Sequence, residues 1–263
     1  MRAHNFATSM PLMNQFLLLS AAGLVAGAMN ALAGGGSFVS LPALIAAGLP
    51  SVQANASSTV ALFPGGVTAA WAYRDGLGPV GTVSLRPLLW ATIAGGAAGA
   101  ALLLLTSSTI FNFVLPWLLL LATLALTFGR KCGEWLRSRW TIQPPVVLIV
   151  QFGLGVYGGY FGGAVGIMMM AVWGLLDSRD LKSLNAHRML LVTATNGIAV
   201  LAFILAHAVH WPETMVMLVA AIVGGYGGAQ IGRRISPRVT RAGTLLLTTC
   251  ITLVFFVRAY MAG

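Results

Sequence analysis

The chain has 263 residues, 58% of them hydrophobic and 8% charged, with a mean hydropathy of +0.88. A soluble domain of this length neither needs nor tolerates so apolar a composition, so the chain is read as an integral membrane protein. The formal net charge of +10 does not point to nucleic acid, because the 15 basic residues lie mostly in short loops between apolar stretches, where membrane topology accounts for them.

Apolar runs of about 20 residues suit helices that cross a hydrocarbon layer about 30 Å thick. Residues 102–105 and 118–121 are apolar on every face, which excludes the alternating pattern of a barrel. Spans are expected over 12–33, 53–73, 84–105 and 110–129, with a short segment at 37–48. The rest of the chain mirrors this, with spans at 144–163, 186–208, 212–232 and 241–260 and a short segment at 167–176. A helix of about 12 residues rises only about 18 Å, so the short segments are expected to be half-helices or re-entrant pieces. Arg2, the apolar run after it and Ala31-Leu32-Ala33 resemble a signal peptide with its cleavage site. The glycines that follow have a counterpart later in the chain, which assigns the segment to a repeat instead.

That repeat is visible residue by residue. Gly23, Gly36, Asn55, Ala56 and Ala72 recur about 130 positions on as Gly153, Gly166, Asn185, Ala186 and Ala202. The expected organisation is a first transmembrane repeat at 1–130, a cytoplasmic basic linker at 131–143 and a second repeat at 144–263. Basic residues near Arg74 and Arg86 and within 130–139, 179–188 and 233–241 should face the cytoplasm. Each half then crosses an odd number of times. The expected fold is therefore all-α, with two inverted-topology repeats of about four full spans plus one short or re-entrant helix each.

Both halves break at glycines, at Gly34-Gly35-Gly36-Ser37 and within the run from Gly158-Gly159 to Gly162-Gly163 and Gly166. Paired interrupted segments in corresponding positions point to a transporter's binding site. Unwound backbone at membrane depth is tolerated only where it lines a cavity or is covered by protein. Gly-x-x-x-Gly spacings occur at Gly23 and Gly27, Gly95 and Gly99, Gly159 and Gly163, Gly162 and Gly166, and Gly224, Gly228 and Gly232; those at 95–99 and 224–232 are read as close helix packing, whereas at the two broken helices the balance shifts towards backbone freedom.

A half-helix starting at Ser37 presents free amides and a positive dipole end, which favours an anion. With inverted halves, a half-helix starting near Ile167 would approach from the other side. Across from the breaks lie Gln53, Asn55, Ser57, Ser58 and Thr59, and in the second half Asn185, His187, Arg188, Thr193, Thr195 and Asn196. Polar groups inside spans are costly and tend to be functional. The competing readings are that Ser and Thr bond back to their own helix carbonyls and that Arg188 snorkels to the surface. His207 and His210 read as interfacial, and the tryptophans, Trp173 among them, as an aromatic belt. The acids Asp75, Glu134, Asp177, Asp180 and Glu213 all sit at span boundaries or in loops, which argues against a carboxylate proton relay. Cys132 and Cys250 fit neither a disulfide framework nor a metal site, and no cofactor is expected.

The first break with residues 37–42, the Leu49-Pro50 turn and Val52-Gln53-Ala54-Asn55-Ala56-Ser57-Ser58 together resemble the sulfite exporter TauE/SafE family. Residues 155–166, then Leu184-Asn185-Ala186-His187-Arg188 and Asn196, resemble that family's second glycine-rich repeat and its following helix. The chain departs from the pattern at Ala164-Val165-Gly166-Ile167 and Met168-Met169-Met170, where a richer glycine run is usual. The resemblance implies a multi-pass inner-membrane permease for sulfite, sulfonates or related small organic anions. Gly34, Gly35, Gly36, Ser37, Asn55, Ser57, Ser58, Gly163, Gly166, Asn185, His187, Arg188 and Asn196 are its candidate substrate residues.

The leading expectation is a secondary transporter in which the two repeats move around a midplane pocket, its partners being a small anion and the lipid bilayer. A membrane-embedded enzyme would need a Gly-x-Ser-x-Gly, a His-Glu-x-x-His or paired intramembrane carboxylates, and none is present in the sequence. A non-transporting scaffold is the alternative, with the glycines serving packing alone.

Overall fold

The computed structural model describes residues 11–72, 74–77, 83–137, 143–163, 165–166, 168–169, 173, 185–232 and 237–260. They form a helical bundle. Its helices are α1 (Leu12–Ala33), α2 (Ser37–Ala46), α3 (Ser51–Ala72), α4 (Leu85–Leu105), α5 (Ser108–Arg137), α6 (Pro144–Phe161), α7 (Asn185–Leu205), α8 (Trp211–Gly232) and α9 (Pro237–Tyr260). Of these, α1 and α4 to α9 are long and apolar enough to cross a membrane. At 22 residues α3 has the length for an eighth span but not the hydropathy, because Gln53, Asn55, Ser57, Ser58 and Thr59 crowd its first half. Most of these polar residues are buried in protein rather than facing lipid, which is how a membrane bundle accommodates them.

The helix ends follow from local chemistry. The first apolar run stops at Gly34, whose φ of +78° lets its amide return to the carbonyls of Met29 and Asn30. Chain direction reverses, and α2 runs back beside α1, so that Gln15 near the start of α1 donates to the carbonyl of Ala47 just after α2. The expected short segment is thus a half-helix of 10 residues. Gly48, at φ +98°, closes it, and Pro50 accepts the first helical bond of α3. The basic stretch expected as a linker begins as helix, because α5 continues to Arg137. Residues 138–142 lie outside those described, as do most of 167–176, where Met168, Met169 and Trp173 are helical.

Packing is arranged in cross-half pairs. The most extensive contacts are α1 with α8 and α4 with α6, followed by α4 with α7, α3 with α7, α3 with α8 and α5 with α9. Glycines make the first two pairs possible. A Cβ added at Gly27 would lie 2.7 Å from the carbonyl carbon of Ala221, and one at Gly228 would lie 2.5 Å from Cα of Ala28. On the other pair, a Cβ at Gly159 would lie 2.8 Å from the carbonyl carbon of Gly96, and one at Gly99 would lie 2.7 Å from the amide nitrogen of Tyr160. Backbones touch at each of these points, the close approach that small residues permit in lipid. Gly153, the sequence counterpart of Gly23, meets nothing within 4 Å.

Hydrogen bonds fix which helix ends lie together. Ser51 donates to the Ser108 carbonyl, Ser57 accepts the His210 amide, and Tyr260 donates to the Phe113 carbonyl, so the starts of α3, α5 and α8 share one end of the bundle with the finish of α9. At the other end Arg241, early in α9, donates to the carbonyls of Leu126 and Thr127 on α5.

Candidate functional site

The second break lies where the repeat places it. The helix α6 ends at Phe161, and Gly162 turns at φ +69° with its amide on the Gly158 carbonyl. Helical residues resume at Val165 and Gly166. The two breaks touch, because a Cβ at Gly163 would stand 2.8 Å from Cβ of Ser37, the first residue of α2. Gly35, Gly36, Ser37, Gly163 and Gly166 are all buried.

At the tip of α2, Phe38 donates to the Gly35 carbonyl, and Val39 and Ser40 donate to the Gly36 carbonyl. The amides ahead of Phe38 therefore stand at the open end of the helix, where the positive partial charge is concentrated. Arg188 reaches this place from α7. Its Nη1 lies 3.8 Å from a Cβ position on Gly34, and its Cδ lies 3.7 Å from one on Gly166. The Arg188 side chain thus passes beside both breaks and is half-buried there.

The other expected residues divide by the partners they take. Ser58 meets Ser40 on α2, with the hydroxyls 2.6 Å apart, which ties the half-helix to α3. Asn55 donates from Nδ2 to the Tyr160 carbonyl at 3.0 Å and so satisfies one of the orphan carbonyls at the end of α6. Its Oδ1, in a side chain only 1% exposed, has no hydrogen-bond partner among the described residues, and the same holds for Thr195 Oγ1 and Asn196 Oδ1. Thr59 follows the back-bonding reading, donating to the Asn55 carbonyl, while a Cβ at Gly162 would meet its hydroxyl at 2.5 Å. Ser57 is not brought to the breaks, because its hydroxyl is taken by the His210 amide at the start of α8. His187 is buried against the Trp173 ring, centroids 6.5 Å apart, beside Arg188 in sequence. Asn185 opens α7, and its side chain lies outside what the structure describes.

One polar chain escapes the sequence reading. Trp173 donates to Gln151 Oε1 at 3.0 Å, Gln151 donates to Thr92 at 2.7 Å, and Thr92 donates to the Leu88 carbonyl. All three side chains are buried. Trp173 is therefore no belt residue, unlike Trp71, Trp90, Trp117 and Trp211, which are exposed. It fastens the segment after the second break to α6 and α4. A tryptophan followed by unrelated residues gave no clue to this, since its partner sits on another helix.

Asn55 supports a direct expectation. In Asn55→Leu the Tyr160 carbonyl loses its donor inside the protein, at a cost of about 1–3 kcal/mol. The variant should insert and purify but melt at a lower temperature in detergent, and an unchanged melting curve would show that the carbonyl finds another partner.

The sulfite exporter TauE/SafE family model matches residues 19–255, which include both breaks. The chain belongs to this family. It is 30% identical over 213 residues to the probable membrane transporter protein YfcA of Escherichia coli strain K12, covering 81% of this chain and 77% of that protein. A probable membrane transporter protein of Haemophilus influenzae is 27% identical over 248 residues, 93% of each chain. The probable membrane transporter protein ORF9 of a Sinorhizobium species is 29% identical over 220 residues, covering 82% of this chain and 81% of that one. No solved structure matches the chain. This TauE/SafE member is thus a multi-pass membrane transporter, with its two glycine breaks inside the matched region.

Proposed function

We propose that this protein carries small sulfur-containing or organic anions, sulfite and sulfonates among them, across the inner membrane by alternating access around a midplane pocket at the two breaks. The observation that carries this reading is Arg188, whose side chain passes both Gly34 and Gly166 beside the open end of α2. Amides, a hydroxyl from Ser37 and one guanidinium supply donors to an oxyanion, and charge-assisted bonds of this kind are about twice as strong as neutral ones. Oxygens on Asn55, Thr195 and Asn196 that have no partner among the described residues add sites for a bound water or a substrate hydroxyl. The repeat supplies Asn185 as the second-half counterpart of Asn55.

A two-repeat organisation is supported by the reciprocity of the packing. The first helix of each half, α1 or α6, lies on the fourth full-length or half-length member of the other, α8 or α4. For an anion leaving a cell that is negative inside, the potential contributes about 2.3 kcal/mol per charge per 100 mV, so export needs no coupled ion. The test is flux of sulfite and small sulfonates into or out of proteoliposomes. Saturable flux that Ser37→Leu abolishes, with insertion retained, is the expected result. Absence of sulfite and sulfonate flux from folded wild-type protein would count against this substrate class.

A further inference from the structure

The buried polar chain at Trp173 has a fixed direction. An indole N–H only donates, so Gln151 turns Oε1 toward Trp173 and Nε2 toward Thr92, whose own proton goes to the Leu88 carbonyl. All three side chains are buried at membrane depth, where lipid offers no replacement for a lost bond. The chain runs from α4 through α6 to the segment after the second break, and it holds the Trp173 ring in place.

Trp173 in turn meets the start of α7. The His187 ring stands nearly perpendicular to it, at 78° with centroids 6.5 Å apart, and His187 is only 1% exposed. The next residue is Arg188, whose Cδ lies 3.7 Å from a Cβ position on Gly166, at the front of the same segment. The segment therefore meets the first turn of α7 twice, Trp173 with His187 and Gly166 with Arg188. Its front is also pressed against α6, since a Cβ at Gly158 would lie 2.8 Å from Cγ2 of Val165 and 2.6 Å from Cγ2 of Thr195 on α7.

We infer that Gln151 is a positioning residue for Arg188, setting through Trp173 and His187 where the guanidinium stands beside the two breaks. Gln151 itself meets no solute in this arrangement, because its amide oxygen and nitrogen are both engaged by protein. Since Gln151 lies on α6 and Thr92 on α4, the charge at the site is carried with the α4–α6 pair. Its effect on flux rests on the transport reading above, whereas the placement of Arg188 does not.

The test uses the full chain purified in detergent. Modification of Arg188 by phenylglyoxal is followed by peptide mass spectrometry, with exposed Arg258 on α9 as the internal control. Gln151→Met, which keeps the bulk but not the bonds, and Thr92→Val should each quicken modification of Arg188 by about threefold or more. Thr92→Ser keeps the hydroxyl and should match the wild type. Should Gln151→Met fail to fold, Trp173→Phe removes the donor, keeps an aromatic ring and should give the same change. In proteoliposomes Gln151→Met should raise the sulfite KM by about threefold to tenfold, the size of one interhelical hydrogen bond in a membrane, at a nearly unchanged maximal rate. That rise should vanish in an Arg188→Gln background. An unchanged Arg188 modification rate in folded Gln151→Met, or a KM rise that persists without the arginine, would overturn the inference. Absence of sulfite flux in the wild type, with the Arg188 modification rate still dependent on Gln151, would overturn the transport reading alone.

Discussion

Leucine at Gly27 should prevent the bundle from assembling. The added Cβ alone would stand 2.7 Å from the Ala221 carbonyl carbon and 2.8 Å from its Cα, and both belong to backbone that moves only if α8 moves. Overpacking a tight interface costs typically about 1–3 kcal/mol, and a clash with main chain along a whole helix pair lies at or beyond the upper end. Gly159→Leu should do the same to α4 and α6, where the carbonyl carbon of Gly96 is 2.8 Å away. Gly153→Leu is the control, because a side chain there meets open space. In fluorescence-detected size exclusion the first two should lose their monodisperse peak and the third should keep it. Equal tolerance of all three would mean that the glycines do not set the helix spacing.

Removing the Arg188 charge should reduce transport by about tenfold to a hundredfold. Hydrogen bonds to charged groups are worth about 1.5–3 kcal/mol, and each 1.4 kcal/mol is a factor of about ten. Arg188→Gln removes the charge and leaves a shorter amide with two N–H donors in place of five, so it should insert normally and bind anions weakly. Arg188→Lys keeps charge but loses the planar fork that grips an oxyanion at two points, so an intermediate rate is expected. The measurement is initial sulfite flux per folded molecule in proteoliposomes. Wild-type flux in Arg188→Gln would show that the side chain serves only the packing of the two breaks.

Much of this architecture is written in local patterns. Apolar runs set the spans to within a few residues, and an αL turn at Gly34 or Gly162 needs glycine, so both breaks could be read from composition. The packing role of the glycines on α4 and α8 was legible from their spacing, as was the boundary position of His210, which pairs with Glu213 at 2.8 Å; that of Gly23 and Gly27 on α1 was not, because the broken helix drew them to the site. What failed was anything that depends on a distant partner. Gly153 matches Gly23 in sequence, yet the packing role falls to Gly155 and Gly159, slightly further along the chain. Ser57 belongs by spacing with Asn55, but the start of α8 claims its hydroxyl. Gln151 looked like one polar residue in an apolar run, and only the approach of Trp173 and Thr92 gives it work. The run after residue 130 read as loop because it is basic, although lysine, arginine, leucine and glutamate all favour helix.

The cross-half pairing of helices has a mechanical corollary. Since α1 is clasped to α8 and α4 to α6 through backbone contact, neither half of the sequence is an independent body that could swing as a unit. The natural rigid blocks are hybrids, each assembled from both halves, with Arg188 lying at the seam. Severing the chain near residue 140 should therefore yield two fragments that are unstable alone and recover only when made together, like the interlocked fingers of two hands.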